Sequence, residues 1–434
     1  MKDLTEGKEG KLILNFALPL LLGSIFQQLY SVVDQIIVGR VLGKEALAAI
    51  GNVFPIFFTL IALIIGVAFG GTIVISQYFG SKDYEQVKKA IGTIYFFMLI
   101  MAIILTVVGL LTGEYILRLI DLPEEILPMA KTYLNIFLGG LIVFFGYNGT
   151  AAILRGLGDS KTPMVFIIIS TVVNIGLDLL FVIVFKWGIA GVAIATVMAQ
   201  GGAFITAVIY LNRTHKLISI RFKHLYFDRE IFRQSIRIGL PTGFQHTFVA
   251  LGMLAIQKVV NEFGTNVIAG YSVAVRIDSL AMTPAMIFSQ ALATFVGQNL
   301  GAGKQERVKK GLKATLMMSA AVAISLTVFI FLSRNSLIGI FNNDPNVKRI
   351  GGEYLMIVSA CYLLFSGLFT LNGVLRGAGD TLIPMFITLI ALWLIRIPGA
   401  YIMSDYFDET GIWLAVPIGW FVGLVMSYFY YRTG

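Results

Sequence analysis

The sequence predicts an all-α polytopic membrane protein, with twelve transmembrane helices in two parallel six-helix repeats, and three observations carry that expectation. The chain is 57% hydrophobic and only 13% charged, with a mean hydropathy of +0.84, whereas charged residues approach a quarter of an ordinary soluble domain. Apolar runs long enough to cross a hydrocarbon core of about 30 Å as helices recur along its whole length. The stretch Leu154-Arg155-Gly156-Leu157-Gly158-Asp159 returns 221 residues later as Leu375-Arg376-Gly377-Ala378-Gly379-Asp380, and Pro163-Met164 and Pro384-Met385 follow at the same distance.

The repeat extends well beyond that motif. The same offset carries Gln77 and Gly80 onto Gln298 and Gly301, and Val87-Lys88-Lys89 onto Val308-Lys309-Lys310. An offset larger by one carries Leu18-Pro19 onto Leu240-Pro241. The chain is therefore two copies of one unit.

Taken in order, the apolar runs lie at roughly 14–38, 46–76, 90–113, 127–153, 162–186 and 188–211. Six more lie at roughly 235–259, 267–299, 312–333, 350–375, 382–404 and 411–431. Six spans per copy is an even number, so both copies begin and end on the same side of the bilayer, which makes the repeats parallel. The expected division is an N-terminal six-helix lobe over residues 1–220 and a C-terminal lobe over 221–434, joined by a polar linker at about 212–234.

Orientation follows from Lys and Arg. The termini and even-numbered connections hold most of them, including Lys2, Lys8, Lys11, Lys82, Lys88, Lys89, Arg155, Arg376 and the linker residues Arg213, Lys216, Arg221, Lys223, Arg229 and Arg233. The excess is expected to place both termini in the cytoplasm of a cell that carries the protein in its cytoplasmic membrane. No small-residue cleavage pattern follows the first run, which is expected to remain as the first span.

Composition and motifs exclude several classes. The net charge of +9 is spread between apolar runs rather than gathered on one face, which argues against nucleic acid. The single cysteine, Cys361, permits neither an internal disulfide nor a cysteine metal cluster. A Gly-rich phosphate loop of the GxxxxGK[ST] kind, HExxH and GxSxG are all missing. The expectation is a protein that is not an enzyme, uses no cofactor and needs no obligate protein partner.

Polar groups inside the apolar runs mark where function is expected, because an intramembrane carboxylate costs a few kcal/mol on insertion scales and needs a partner or a water-lined cavity. Gln27, Tyr30, Ser31, Asp34 and Gln35 fall at i, i+3, i+4, i+7 and i+8 on one face of the first span. Thr171, Asn174 and Asp178 form a second stripe on the fifth. Asp34, Asn174 and Asp178 would together offer the oxygen ligands that a proton or Na⁺ requires. The plain alternative, interhelical hydrogen bonding, serves Thr171 and Asn174 equally well. Asp278 is expected to tie neighbouring helices together, since Arg276 lies two residues away on a different face. Gln27, Tyr30, Ser31 and Gln35, with Gln245 and His246 of the seventh span, are the candidate lining of a substrate cavity.

Leu18-Pro19 with Val33-Asp34, Gln77-Tyr78-Phe79-Gly80 with its copy Gln298-Asn299-Leu300-Gly301, the doubled Leu-Arg-Gly-x-Gly-Asp, and Asn174 through Asp178 together resemble the multidrug and toxic compound extrusion (MATE) transporters of bacterial type. The resemblance runs from about residue 12 to 431. It implies twelve helices in two lobes, a central cavity, and export of amphipathic, often cationic compounds in exchange for H⁺ or Na⁺. It also implies a first-lobe cation site at Asp34, Asn174, Asp178 and Thr196. Some branches use further carboxylates in the seventh and tenth helices, where this chain has Gln245-His246-Thr247-Phe248-Val249 and Phe365-Ser366-Gly367. That departure argues against a second-lobe cation site of the same type. The alternative within transport is a flippase for a lipid-linked precursor of the same superfamily; a membrane enzyme or receptor fits less well.

Overall fold

The computed structural model describes residues 2–120, 122–214 and 226–433, without the side chains of Pro55, Phe58, Thr59, Leu60 and Thr214. Residues 215–225 of the expected linker, with Lys216, Arg221 and Lys223, lie outside the described residues. Every expected apolar run is helical. In order these are α1 (Glu9–Ile37), α2 (Lys44–Gly80), α3 (Tyr84–Leu119), α4 (Leu127–Gly139), α5 (Leu141–Gly156), α6 (Lys161–Asp178) and α7 (Gly188–Thr214). They are followed by α8 (Arg229–Asn261), α9 (Thr265–Gly301), α10 (Gln305–Gly339), α11 (Pro345–Ser359), α12 (Tyr362–Ala378), α13 (Leu382–Leu389) and α14 (Ile397–Thr433). Three π-helical segments, Val38–Leu42, Leu179–Val184 and Ile390–Arg396, continue α1, α6 and α13.

Among the described residues, eight helical stretches are long and apolar enough to cross a membrane, and ten when each of two bent pairs counts as one span. The chain is thus an all-α, multi-pass membrane protein. Two features keep this count below the twelve expected. α8 is diluted by Arg229, Glu230, Arg233, Arg237, Gln245, His246, Gln257 and Lys258. Leu382–Thr433 counts as one stretch although Phe407 and Asp408 interrupt it with non-helical backbone.

The duplication is visible bond by bond. The expected single runs at 127–153 and 350–375 are each bent, by 51° between α4 and α5 and by 50° between α11 and α12. A helix break frees carbonyls in the last turn, and in both copies a threonine on the neighbouring helix covers one. Thr106 Oγ1 donates to the Leu138 carbonyl at 2.7 Å, and Thr327 Oγ1, 221 residues on, donates to the Ser359 carbonyl at 2.6 Å. On the outer surface Leu111 and Leu332, also 221 apart, are 79% and 80% exposed, as lipid-facing side chains are.

The doubled motif ends α5 and α12 in the same way. A Cβ on Gly156 would meet the Thr72 carbonyl oxygen at 2.8 Å, and one on Gly377 would meet that of Ala293 at 2.5 Å, so only glycine permits the two backbones to approach. Gly158 (φ 78°) and Gly379 (φ 93°) supply the left-handed turn that follows. Arg155 and Arg376, expected in connections, instead lie in the last turns of α5 and α12.

By its contacts the chain divides into two compact units, Met1–Asp3 with Leu18–Gly243, and Leu4–Ala17 with Phe244–Gly434. The first unit contains all four residues of the expected cation site. In the second, an aromatic cluster forms the core: Tyr271 stacks on Trp413 with ring centroids 5.3 Å apart, and Tyr354 meets Trp413 edge-on at 5.1 Å.

Candidate functional site

Both polar stripes end at a change of helical winding. Asp178 is the last residue of α6 before the π-helical segment Leu179–Val184, and Asp34 lies one turn ahead of Val38–Leu42 on α1. A π-segment widens the helix and mismatches its hydrogen bonding, a distortion frequent at functional sites.

The structure brings α1, α5, α6 and α7 of the first unit together around a small, partly open cleft with several polar side chains in its lining. Gln27 and Tyr30 face it from α1, Ser170, Thr171 and Asn174 from α6, Thr196 and Gln200 from α7. Tyr30 Oη and Thr196 Oγ1 share a hydrogen bond of 3.0 Å. Thr196 spends its own proton on the Val192 carbonyl at 3.1 Å, so the tyrosine is the donor between them. Asp34 lies one turn beyond Tyr30, and Asp178 one turn beyond Asn174, close enough for each to act electrostatically on Tyr30. Tyr133 of α4 is within reach of the same two charges.

The chemistry of the site lies in what these groups lack. Asp178 is fully buried, Asn174 is 2% exposed and Asp34 is 9% exposed. Both carboxylate oxygens of Asp178, both amide atoms of Asn174, Oδ1 of Asp34 and Oε1 of Gln200 are buried without a hydrogen-bond partner. Buried polar groups are nearly always paired, and an unpaired charge in low dielectric costs several kcal/mol. Five orphaned oxygens thus lie in one unit, on α1, α6 and α7. These are the hard donors that Na⁺ takes. Among the described residues no group of three His, Cys, Asp or Glu side chains is suited to a transition metal.

Not every expected residue joins this cleft. Ser31 and Gln35 are exposed on α1 and are not part of its lining, and neither Asp34 nor Asp178 is among the residues that line it. Gln245 and His246 belong to the second unit. There Gln245 is engaged at both ends, since its Nε2 donates to Thr388 Oγ1 at 2.5 Å and its Oε1 accepts from Arg376 at 2.6 Å. Tyr147, Ser170 and Gln200 line the cleft without having been expected. Ser170 is four residues from Asn174 and Gln200 four from Thr196, so helical periodicity would have found them; Tyr147 carries no such signal.

The second unit handles its buried carboxylate in the opposite manner. Asp278 on α9 is 5% exposed. Tyr362 donates to its Oδ1 at 2.7 Å and Tyr354 to its Oδ2 at 3.2 Å, and Arg396 lies within electrostatic range. This carboxylate ties α9 to α11 and α12.

Comparison with known proteins gives the family. The MatE family pattern matches the chain twice, over residues 19–180 and 241–402, one match in each copy of the repeat. The probable multidrug resistance protein YpnP of Bacillus subtilis is 32% identical over 432 residues, covering 100% of this chain and 97% of that protein. The probable multidrug resistance protein NorM of Thermotoga maritima is 28% identical, covering 94% of this chain and 88% of its own length. A solved structure of a multidrug resistance MATE family transporter of the MOP superfamily in its outward-facing conformation superposes with a TM-score of 0.92. It is 23% identical and covers 100% of this chain and 97% of that one, a likeness of fold. The chain belongs to the bacterial multidrug and toxic compound extrusion (MATE) family, and is a membrane transporter rather than an enzyme.

Proposed function

We propose that this transporter is a secondary antiporter that exports amphipathic, cationic organic compounds in exchange for H⁺ or Na⁺ bound at Asp34, Asn174, Asp178 and Thr196. The observation that supports the reading is the set of buried, partnerless oxygens on Asp34, Asn174 and Asp178, carried by the two helices α1 and α6. A cation arriving there offsets one of the two carboxylate charges and takes up orphaned oxygens. Its departure leaves like charges facing each other and drives α1 and α6 to rearrange. For a cargo without net charge, one ion moved inward through the membrane potential yields about 2.3 kcal/mol per 100 mV, roughly fiftyfold in concentration. Exchange of a monocation for one ion is electroneutral and is driven by the concentration gradient of the ion.

The topology that goes with this reading has twelve spans in two six-helix lobes, residues 1–220 and 221–434, with both termini cytoplasmic. In it α8 also crosses the bilayer, and Leu382–Thr433 crosses twice about its break at Phe407–Asp408. A polar α8 is tolerable in a bundle where its polar face meets other helices.

The test is dye efflux from proteoliposomes under separately imposed H⁺ and Na⁺ gradients. Efflux is expected under one of them and lost in Asp34→Asn and Asp178→Asn. Wild-type rates in both variants would remove the site from the mechanism.

A further inference from the structure

The doubled Leu-Arg-Gly-x-Gly-Asp motif contains more than a turn. Its glycines are explained by close helix approach, and its aspartates are engaged. Asp159 accepts from Thr162 N at 3.0 Å and from Thr162 Oγ1 at 2.6 Å, and Asp380 accepts from the Tyr430 hydroxyl. The arginines are not explained. Arg155 Nε and Arg376 Nε are both buried without a hydrogen-bond partner. Among the described residues no Asp or Glu forms an ion pair with either. A guanidinium cannot relieve its burial by losing a proton, as a carboxylate relieves its own by gaining one. A buried cation without a counter-charge calls for an anion.

The two copies differ in one informative respect. Arg376 is held, its Nη2 donating to Gln245 Oε1 at 2.6 Å while Gln245 Nε2 is anchored on Thr388 at 2.5 Å. His246, exposed and next to Gln245 on α8, is within electrostatic range of Arg376. In the first copy the position matching Gln245 is Gly23, by the offset that pairs Leu18-Pro19 with Leu240-Pro241, and Arg155 has no such clamp. The fold is satisfied in the first copy without the clamp, so fold alone does not require it in the second.

We propose that Arg376, oriented by Gln245 and flanked by His246, is an oxyanion-binding site on the second unit, and that it takes a carboxylate or phosphate carried by the exported compound. The inference rests on the reading of the chain as an exporter, and extends its substrates beyond simple cations to acidic and zwitterionic amphiphiles. A planar guanidinium with an unspent Nε–H matches the two oxygens of such a group, and charge-assisted bonds of that kind are the strong ones. Gln245 is a positioning residue, holding the guanidinium through its Oε1 while its Nε2 is anchored on Thr388.

The test uses a matched pair of xanthene dyes, one with a free carboxylate and one its methyl ester, with the full chain in proteoliposomes. Arg376→Gln is expected to slow export of the free acid by about tenfold to a hundredfold while altering export of the ester by less than about twofold. Gln245→Leu should shift the acid-to-ester ratio in the same direction by a smaller factor, and serves if Arg376→Gln does not fold. Arg155→Gln should leave the ratio unchanged. Equal losses for both dyes, or no loss for either, would overturn the site. If wild-type protein exports neither dye, the exporter reading fails separately, and fluorescence anisotropy of the two dyes with detergent-purified protein still decides the site. There an acid preference that depends on Arg376 supports it, and its absence overturns it. Repeating the assay in vesicles with and without phosphatidylglycerol separates sources of the anion. An Arg376-dependent acid preference that disappears with the anionic lipid points to a lipid phosphate as the competing occupant, and one that persists points to the dye carboxylate alone.

Discussion

Two buried carboxylate clusters, one in each unit, are built on opposite terms. In the second unit Asp278 receives hydroxyl protons on both oxygens, from Tyr362 and Tyr354, with a guanidinium nearby and an aromatic core packed around it. In the first unit Asp178 is fully buried with neither oxygen bonded, and Asn174 and Asp34 share the deficit. Satisfied polar groups stiffen a fold, whereas unsatisfied ones are a liability that a transporter can turn into an ion site. The contrast is the ground on which the proposed coupling site is placed in the first unit, with Asp278 as a tie between helices.

The largest test of that contrast is neutralisation of the first-unit acids. Asp34→Asn and Asp178→Asn are expected to lower gradient-driven efflux by about a hundredfold or more, the equivalent of roughly 3 kcal/mol. The thermal midpoint of the purified protein should stay level or rise, because an unpaired buried charge is removed. A clear fall in thermal stability would instead make these acids part of the scaffold. Asp278→Ala should behave in reverse. It leaves two tyrosine hydroxyls and the Arg396 charge without their acceptor, costing about 3 kcal/mol, while efflux per folded molecule under each gradient keeps its ion preference. Altered ion preference would bring Asp278 into the coupling machinery.

Smaller changes sharpen the picture. Tyr30→Phe deletes one neutral hydrogen bond to Thr196, worth about 1 kcal/mol; the ion concentration for half-maximal efflux should rise by roughly fivefold. No change would separate Tyr30 from the ion site. Thr106→Val and Thr327→Val remove matching bonds at the two helix bends. Each should lower stability by about 1 kcal/mol or less, and by similar amounts. A marked inequality in denaturant titrations would show that only one bend matters to the fold.

Much of the architecture was legible because a bilayer leaves few options for the backbone. Apolar runs had to be helices, and every run expected is one. The stripe from Gln27 to Asp34 was visible because four polar residues at helical spacing inside an apolar run demand a shared face. The bends at Gly140 and at Ala360-Cys361 were not visible, since hydropathy is indifferent to a change of axis direction within an apolar stretch. Gln245 shows a second limit. An amide reads as a free donor and acceptor in sequence, and only the positions of Thr388 and Arg376 reveal that both ends are occupied.

By itself the sequence determined the helical class, the membrane setting, the duplication and the family, because each follows from local hydropathy or from identity repeated at a fixed spacing. The tertiary structure alone decided which buried acids are satisfied. Asp178 and Asp278 are the same residue type in similar apolar runs. What separates them is whether a hydroxyl from another helix arrives within hydrogen-bonding distance, and that depends on helix packing that no local pattern encodes.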